Sequence, residues 1–173
     1  MDNILEIQNL TKAYDDFTLD KISLALPKGS IMGFIGGNGA GKTTTIKLIL
    51  NLIHRDSGNI KVFGLDNLDY EKQIKEDLGV VFDESSFPAN MKVPHINKVL
   101  GQIYKNWDAV VFSSYIDKFG LPVKKEIKDF SRGMKMKLAI AVALSHHAKL
   151  LILDEATSGL DPARILKRGI ILV

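Results

Sequence analysis

The stretch Gly36-Gly37-Asn38-Gly39-Ala40-Gly41-Lys42-Thr43 constrains this chain more than any other. It places a glycine, four variable positions, then Gly-Lys-Thr, which is the spacing of a phosphate-binding loop. The run before it, Ser30-Ile31-Met32-Gly33-Phe34-Ile35, reads as a strand, and Lys42 to Ile53 reads as a helix. A strand feeding a glycine-rich turn and then a helix is the context the motif needs. The glycines let successive N–H groups face one anion. The helix N-terminus adds about half a positive charge at the same point. Lys42 is placed to reach β- and γ-phosphates, and Thr43 to offer its hydroxyl to Mg2+. The expected ligand is a nucleoside triphosphate. A glycine-rich turn without a ligand is the plain alternative, which the strand–loop–helix context disfavours.

Composition narrows the setting. The chain has 173 residues, enough for one domain with a real core. Apolar residues make up 46% and charged residues 25%, as in ordinary globular proteins. A net charge of +3 is too small to argue for nucleic acid. With no cysteine, disulfides, thiolate metal sites and a cysteine nucleophile are excluded. No apolar run approaches the about 20 residues that span a bilayer. The N-terminus, Met1-Asp2-Asn3-Ile4-Leu5-Glu6, carries no expected signal peptide. A membrane role would need a separate embedded partner.

Along the chain, Ile4 to Ile7 and Thr18 to Leu26 alternate as strands, and Pro27-Lys28-Gly29 reads as a turn. His54 to Gly58 ends the first helix and leads into a short strand, Asn59 to Phe63. Asp69 to Asp77 reads as a short helix, and Leu78 to Phe82 as a buried parallel strand. After a loop from Asp83 to Pro94, three helices are expected: Ile96 to Tyr104, Asp108 to Phe119, and Arg132 to His146. A buried strand returns at Lys149 to Leu153.

That last strand ends in Asp154-Glu155. Charge is costly to bury unless it meets a partner, and the C-terminal edge of a parallel sheet is where ligands bind. Asp154 is therefore the natural Mg2+ partner of Thr43, directly or through the next shell of ligands. Glu155 is the natural general base for the water that attacks a γ-phosphate.

Ser158-Gly159-Leu160-Asp161-Pro162 follows, and upstream Phe130-Ser131-Arg132-Gly133-Met134 opens the last helix. Five motifs in this order, over nearly the whole chain, resemble the nucleotide-binding subunit of ATP-binding cassette (ABC) transporters. The resemblance implies an α/β fold. It comprises a RecA-like P-loop NTPase core with an antiparallel β subdomain and an inserted α-helical subdomain. Within one domain spanning residues 1–173, the core is expected at 1–83 and 148–173 and the helical subdomain at 84–147. The resemblance implies roles as well. Gly36 to Thr44 resembles the Walker A loop, Asp154 the Walker B aspartate and Glu155 the catalytic glutamate. Asp161 lies in a segment resembling the D-loop, which contacts a second subunit. Ser131 and Gly133 resemble the signature motif, which in this family caps ATP held by the partner. Near a helix N-cap, Ser131 would form a second anion site. Tyr14 stands where the family carries an aromatic that stacks on adenine; packing on the sheet edge is the alternative. The implied cofactors are ATP and Mg2+. The implied partners are a membrane-embedded transporter subunit and a second ATP-binding subunit, identical or not, with no nucleic acid. The implied location is the cytoplasmic face of the cell membrane, held there through the membrane partner.

Four departures qualify the resemblance. Asp83 replaces a usual glutamine and could reach Mg2+, directly or through water. Arg132 and Met134 replace a glycine and a glutamine, and Arg132 either aids a γ-phosphate in trans or faces solvent. This variant signature resembles exporters with a separate membrane subunit, including antibiotic- and peptide-exporting systems. Gly37 and Ala156 replace common prolines, both mild changes. Lastly, only Pro162 to Val173 follow the D-loop-like segment, and all four histidines, His54, His95, His146 and His147, lie upstream of it. No residue matches the family's γ-phosphate histidine. The expectation is a truncated chain that lacks at least one core strand, exposes an apolar edge, binds ATP and turns it over poorly. The residues Gly169 to Val173 read as a short strand or a frayed tail. His146 and His147 are expected to complement the helix dipole. Phe87, Pro88 and Met91 are either contacts for a transporter partner or packing within their own loop. A non-catalytic ATP-binding fragment or regulator is the second reading. A soluble cassette acting on DNA or the ribosome is disfavoured, since no coiled-coil insertion or second cassette is present.

Overall fold

The computed structural model describes residues 2–37, 39–82 and 87–153, and the backbone of 169–172. They fall into two compact units, Met1–Lys75 with Asp161–Val173, and Glu76–Leu160.

The first unit is built on an antiparallel sheet. Strands β1 (Asn3–Tyr14) and β2 (Phe17–Pro27) form a hairpin that turns through Asp15 and Asp16 and closes with Tyr14 opposite Phe17. Strand β4 (Ser57–Val62) pairs with the other side of β1, and β5 (Leu65–Asp66) pairs with β4. Leu5, Ile7 and Leu10 of β1 are fully buried. Strict alternation would bury residue 9 instead. A register shift against both neighbours after Ile7 and Gln8, with Asn9 at φ +47°, marks a bulge. It explains why the alternating pattern stops at Ile7 while the strand runs on to Tyr14.

Strand β3 (Ile31–Gly33) is shorter than its apolar run suggests and pairs in parallel with β8 (Gly169–Leu172), Ile31 opposite Ile170. This bears out the short-strand reading of that segment over the frayed tail. Gly169 to Leu172 is a strand, and β3 is paired along it.

Helix α1 (Lys42–Ile49) ends four residues before the expected Ile53. The amide of Leu52 bonds to the Lys47 carbonyl and that of Asn51 to Leu48, a Schellman stop with Asn51 at φ +54°. Asn tolerates this left-handed conformation better than most residues. The buried Asn67 amide then donates to the carbonyls of Leu48 and Ile49, satisfying the end of the helix. Helix α2 (Glu71–Glu76) follows.

In the second unit, β6 (Leu78–Val81) and β7 (Leu150–Leu153) run parallel with Leu78 opposite Leu150. Three helices accompany them: α3 (Val93–Ile103), α4 (Ala109–Lys118) and α5 (Arg132–Ser145), with a 3-10 turn at Ile127–Asp129. Phe112, Ile96, Ile116, Ile127 and Leu138 centre its helical core. Phe87 and Met91 pack against that core, which favours packing over an outward contact for these two. Gly79 lets β6 approach α5 and β7. A Cβ there would lie 2.6 Å from Leu151 Cδ2 and 3.0 Å from Ala143 Cβ.

His146 sits at the end of α5, where it is buried. It is 1% exposed, stacked 4.1 Å from the Tyr104 ring, with Nδ1 3.0 Å from the Val142 carbonyl and Nε2 3.2 Å from the Leu78 carbonyl. It fastens the end of α5 to β6. His147, at φ +57°, lies 3.6 Å from Asp108.

Candidate phosphate-binding site

Three features of the first unit meet at the loop before α1. Gly41, the helix N-cap, sits at φ +87°. Among the described residues no side chain caps the helix, and no acid lies in its first turn. The Lys42 ammonium donates to the carbonyls of Gly36 at 2.8 Å and Gly37 at 3.1 Å. A lysine has three N–H donors, so this arrangement lays the cation along the loop with one donor left to meet a ligand. Gly36, Gly37, Gly39, Ala40 and Thr43 are exposed, and Thr44 is half-buried. Thr45 is buried and ties its hydroxyl to the Gly41 carbonyl at 2.9 Å, locking the first turn. Asn38 lies outside the described residues.

The hairpin stands directly on this loop. A Cβ on Gly41 would lie 2.9 Å from both Phe17 Cζ and Leu19 Cδ1 of β2. Because Phe17 pairs with Tyr14 across the hairpin, Tyr14 is carried to the neighbourhood of the loop. Tyr14 is 47% exposed. Lys12 Nζ lies 5.6 Å from its centroid and bonds Asp56 at 2.7 Å. The Asp56 carboxylate also accepts the Ala13 N–H at 2.7 Å. These bonds hold the Asp56 carboxyl below its usual range, the Ala13 N–H contributing most and Lys12 next. Sequence reading found Tyr14 but missed Lys12, Asp56, Phe17 and Leu19. Their roles depend on strand register, which no local pattern encodes.

The second unit holds the start of α5, where a second anion site is expected. Ser131 is the N-cap of α5, its hydroxyl oxygen accepting the Met134 N–H at 3.3 Å. No acid lies in the first turn of this helix either. Gly133 is exposed, its φ is not left-handed, and nothing lies within 4 Å of a Cβ built on it. The fold of this unit therefore does not itself demand a glycine there. Strand β7 ends at Leu153 with all four residues buried. Asp83, Asp154, Glu155 and Asp161 lie outside the described residues. Among the described residues, no cluster of three His, Cys, Asp or Glu is arranged for a metal, and no helix is long and apolar enough to cross a membrane.

A strand, a glycine loop holding its own lysine, and a helix with no acid in its first turn are the elements of a phosphate-loop fold. Residues 19–158 match the family model described as ABC transporter. The chain is 40% identical over 172 residues to the bacitracin transport ATP-binding protein BcrA of Bacillus licheniformis, covering 95% of this chain and 55% of that protein. It is 35% identical over 165 residues to the lantibiotic transport ATP-binding protein SrtF of Streptococcus pyogenes, covering 94% of this chain and 70% of SrtF. Among solved structures, an ATP-binding subunit of an ABC transporter superposes with a TM-score of 0.84 at 25% identity, over 98% of this chain and 78% of that one. The cbiO1 protein of Clostridium perfringens, part of the ABC transporter complex cbiONQ, gives 0.77 at 25% identity, over 99% of this chain and 78% of that one. The chain belongs to the ABC transporter family, and its fold is that of the family's ATP-binding subunits. It spans about half the length of the first curated relatives it matches, 55% and 54%.

Proposed function

We propose that the chain binds ATP at the Gly36–Thr43 loop and serves as the ATP-hydrolysing part of a transporter. The observation that carries this is the Lys42 ammonium held across the Gly36 and Gly37 carbonyls beside a helix start with no acid. In this reading, the N–H groups from Gly37 to Thr44 and Lys42 take the phosphates, and Tyr14 takes the base. The exposed Thr43 hydroxyl fits an oxygen-ligand cation, and with Asp154 and Asp83 it would hold Mg2+. The metal would offset the charge of the phosphates. Glu155 accepts a proton from the attacking water as its oxygen bonds to the γ-phosphorus and the bond to the ADP oxygen breaks.

Ser131 and Gly133 cap a nucleotide held by a second cassette, and Asp161 contacts that cassette. The open space around Gly133 supports this: a glycine the unit does not need is what close approach by a partner's phosphate would require. The cassette then energises a membrane-embedded subunit from the cytoplasmic side, with the helical unit as the docking element. The likeness to BcrA and SrtF supports a peptide antibiotic as cargo and export as direction.

The deciding experiment is equilibrium titration of the chain with Mg·ATP, followed by phosphate release. Lys42→Ala should weaken binding by more than tenfold. Glu155→Gln should keep binding and stop release. Equal ATP affinity in Lys42→Ala and the parent would overturn the reading.

A further inference from the structure

The last three residues of β1 are held by a device that no motif contains. Strand β4 ends its ladder with β1 at the pair Thr11–Ser57. One residue earlier, the Asp56 N–H donates to the Thr11 carbonyl at 3.0 Å. Its carboxylate then accepts the Ala13 N–H and the Lys12 ammonium, each at 2.7 Å. A side chain thus continues a strand ladder where the backbone has run out. An exposed ion pair alone contributes little. Here the acid also satisfies a backbone donor, and the cation it holds is spoken for twice, since it lies 5.6 Å from the Tyr14 centroid. Lys12 is largely covered, with its side chain 19% exposed.

We propose that Lys12 and Asp56 are positioning residues for the nucleotide base, holding Tyr14 so that an ammonium covers one ring face and the other is left to a purine. The proposal rests on the reading of Tyr14 as the base-stacking residue. Two physical effects follow from the arrangement. A ring held before binding loses less freedom when a base arrives. A cation over one face draws π density toward itself, which makes the opposite face a better stacking partner for an electron-rich purine. The positions also account for a base reader on an exposed hairpin end, where a tyrosine would otherwise swing freely.

The test compares Mg·ATP with Mg·tripolyphosphate, which carries the phosphates and no base, by calorimetric titration of the full chain. Asp56→Asn and Lys12→Met should each weaken ATP by about three- to tenfold and leave tripolyphosphate unchanged. Lys12→Arg, which keeps a cation opposite the acid, should retain the parent affinity. In a Tyr14→Ala background, neither Asp56→Asn nor Lys12→Met should cost anything further. If Asp56→Asn does not fold, Lys12→Met, which keeps the Asp56 bond to the Ala13 N–H, carries the comparison. Loss of both ligands alike, or no loss of ATP affinity while Tyr14→Ala weakens it, overturns the proposal. Parent-level ATP affinity in Tyr14→Ala itself overturns the base-stacking reading, and this proposal with it.

Discussion

Gly41 has two independent reasons to be a glycine. Its φ is +87°, and a Cβ would meet Phe17 and Leu19 at 2.9 Å each. Gly41→Ala should therefore destabilise the chain by about 1–3 kcal/mol from backbone strain alone, read as a lower melting temperature, and weaken ATP binding with it. Gly133 is the contrasting case. With open space around it and no left-handed φ, Gly133→Ala should leave stability within about 0.5 kcal/mol, and its effect should surface in turnover and in ATP-driven dimerisation. Asp108 supplies a pH signature. It caps α4 by accepting the Val110 and Val111 N–H groups at 2.9 Å, and His147 stands beside it. The Val111 bond chiefly, then Val110 and His147, hold its carboxyl below the ordinary value against the opposing effect of desolvation. A depressed folded pKa gives stability that is complete above the unfolded value, about 3.9, and is lost as pH falls through the folded one. Asp108→Ala should lower the urea midpoint at pH 7, and the deficit should shrink below about pH 4.

At the scale of elements, the β1 bulge decides where the hairpin points. Gly58 of β4 lies under it at φ +89°, where a Cβ would lie 2.4 Å from the Asn9 carbonyl oxygen and 2.6 Å from that of Gln8. Gly58→Ala should cost more stability than a typical surface change, and a urea titration should show it. The same variant should weaken Mg·ATP more than Mg·tripolyphosphate, because the displaced part carries the base reader. The sequence made some elements plain and hid others for physical reasons. Strong local signals, such as the glycine loop, the Ser131 cap and the apolar runs of β6 and β7, announced themselves. The bulge did not, because one extra residue simply looks like the end of an alternation. The stop of α1 was hidden because Asn51 served where a glycine is the usual sign. Leu65–Asp66 was too short to stand out as a strand. His146 has the composition of a solvated helix end, and only the fold shows that its ring is walled in by Tyr104 and two carbonyls.

At the scale of the whole molecule, ligand binding and stability are one measurement. If Mg·ATP binds the folded chain alone, a hundredfold excess over Kd should add about 2.7 kcal/mol, seen as a rise in melting temperature that Lys42→Ala abolishes. In Glu155→Gln, ATP should also shift the sedimenting species toward a dimer, and Gly133→Ala should remove that shift while keeping the thermal gain. Separating the two responses distinguishes a bound nucleotide from one shared between cassettes. The bulge in β1 has a consequence for tolerance to change. Asn9 and Gly58 touch no part of the phosphate loop in sequence, yet the placement of Lys12, Ala13 and Tyr14 depends on the kink they form. In a library of random variants selected for nucleotide binding, these two positions should be purged nearly as hard as the loop glycines, while the exposed turn at Asp15 and Asp16 drifts.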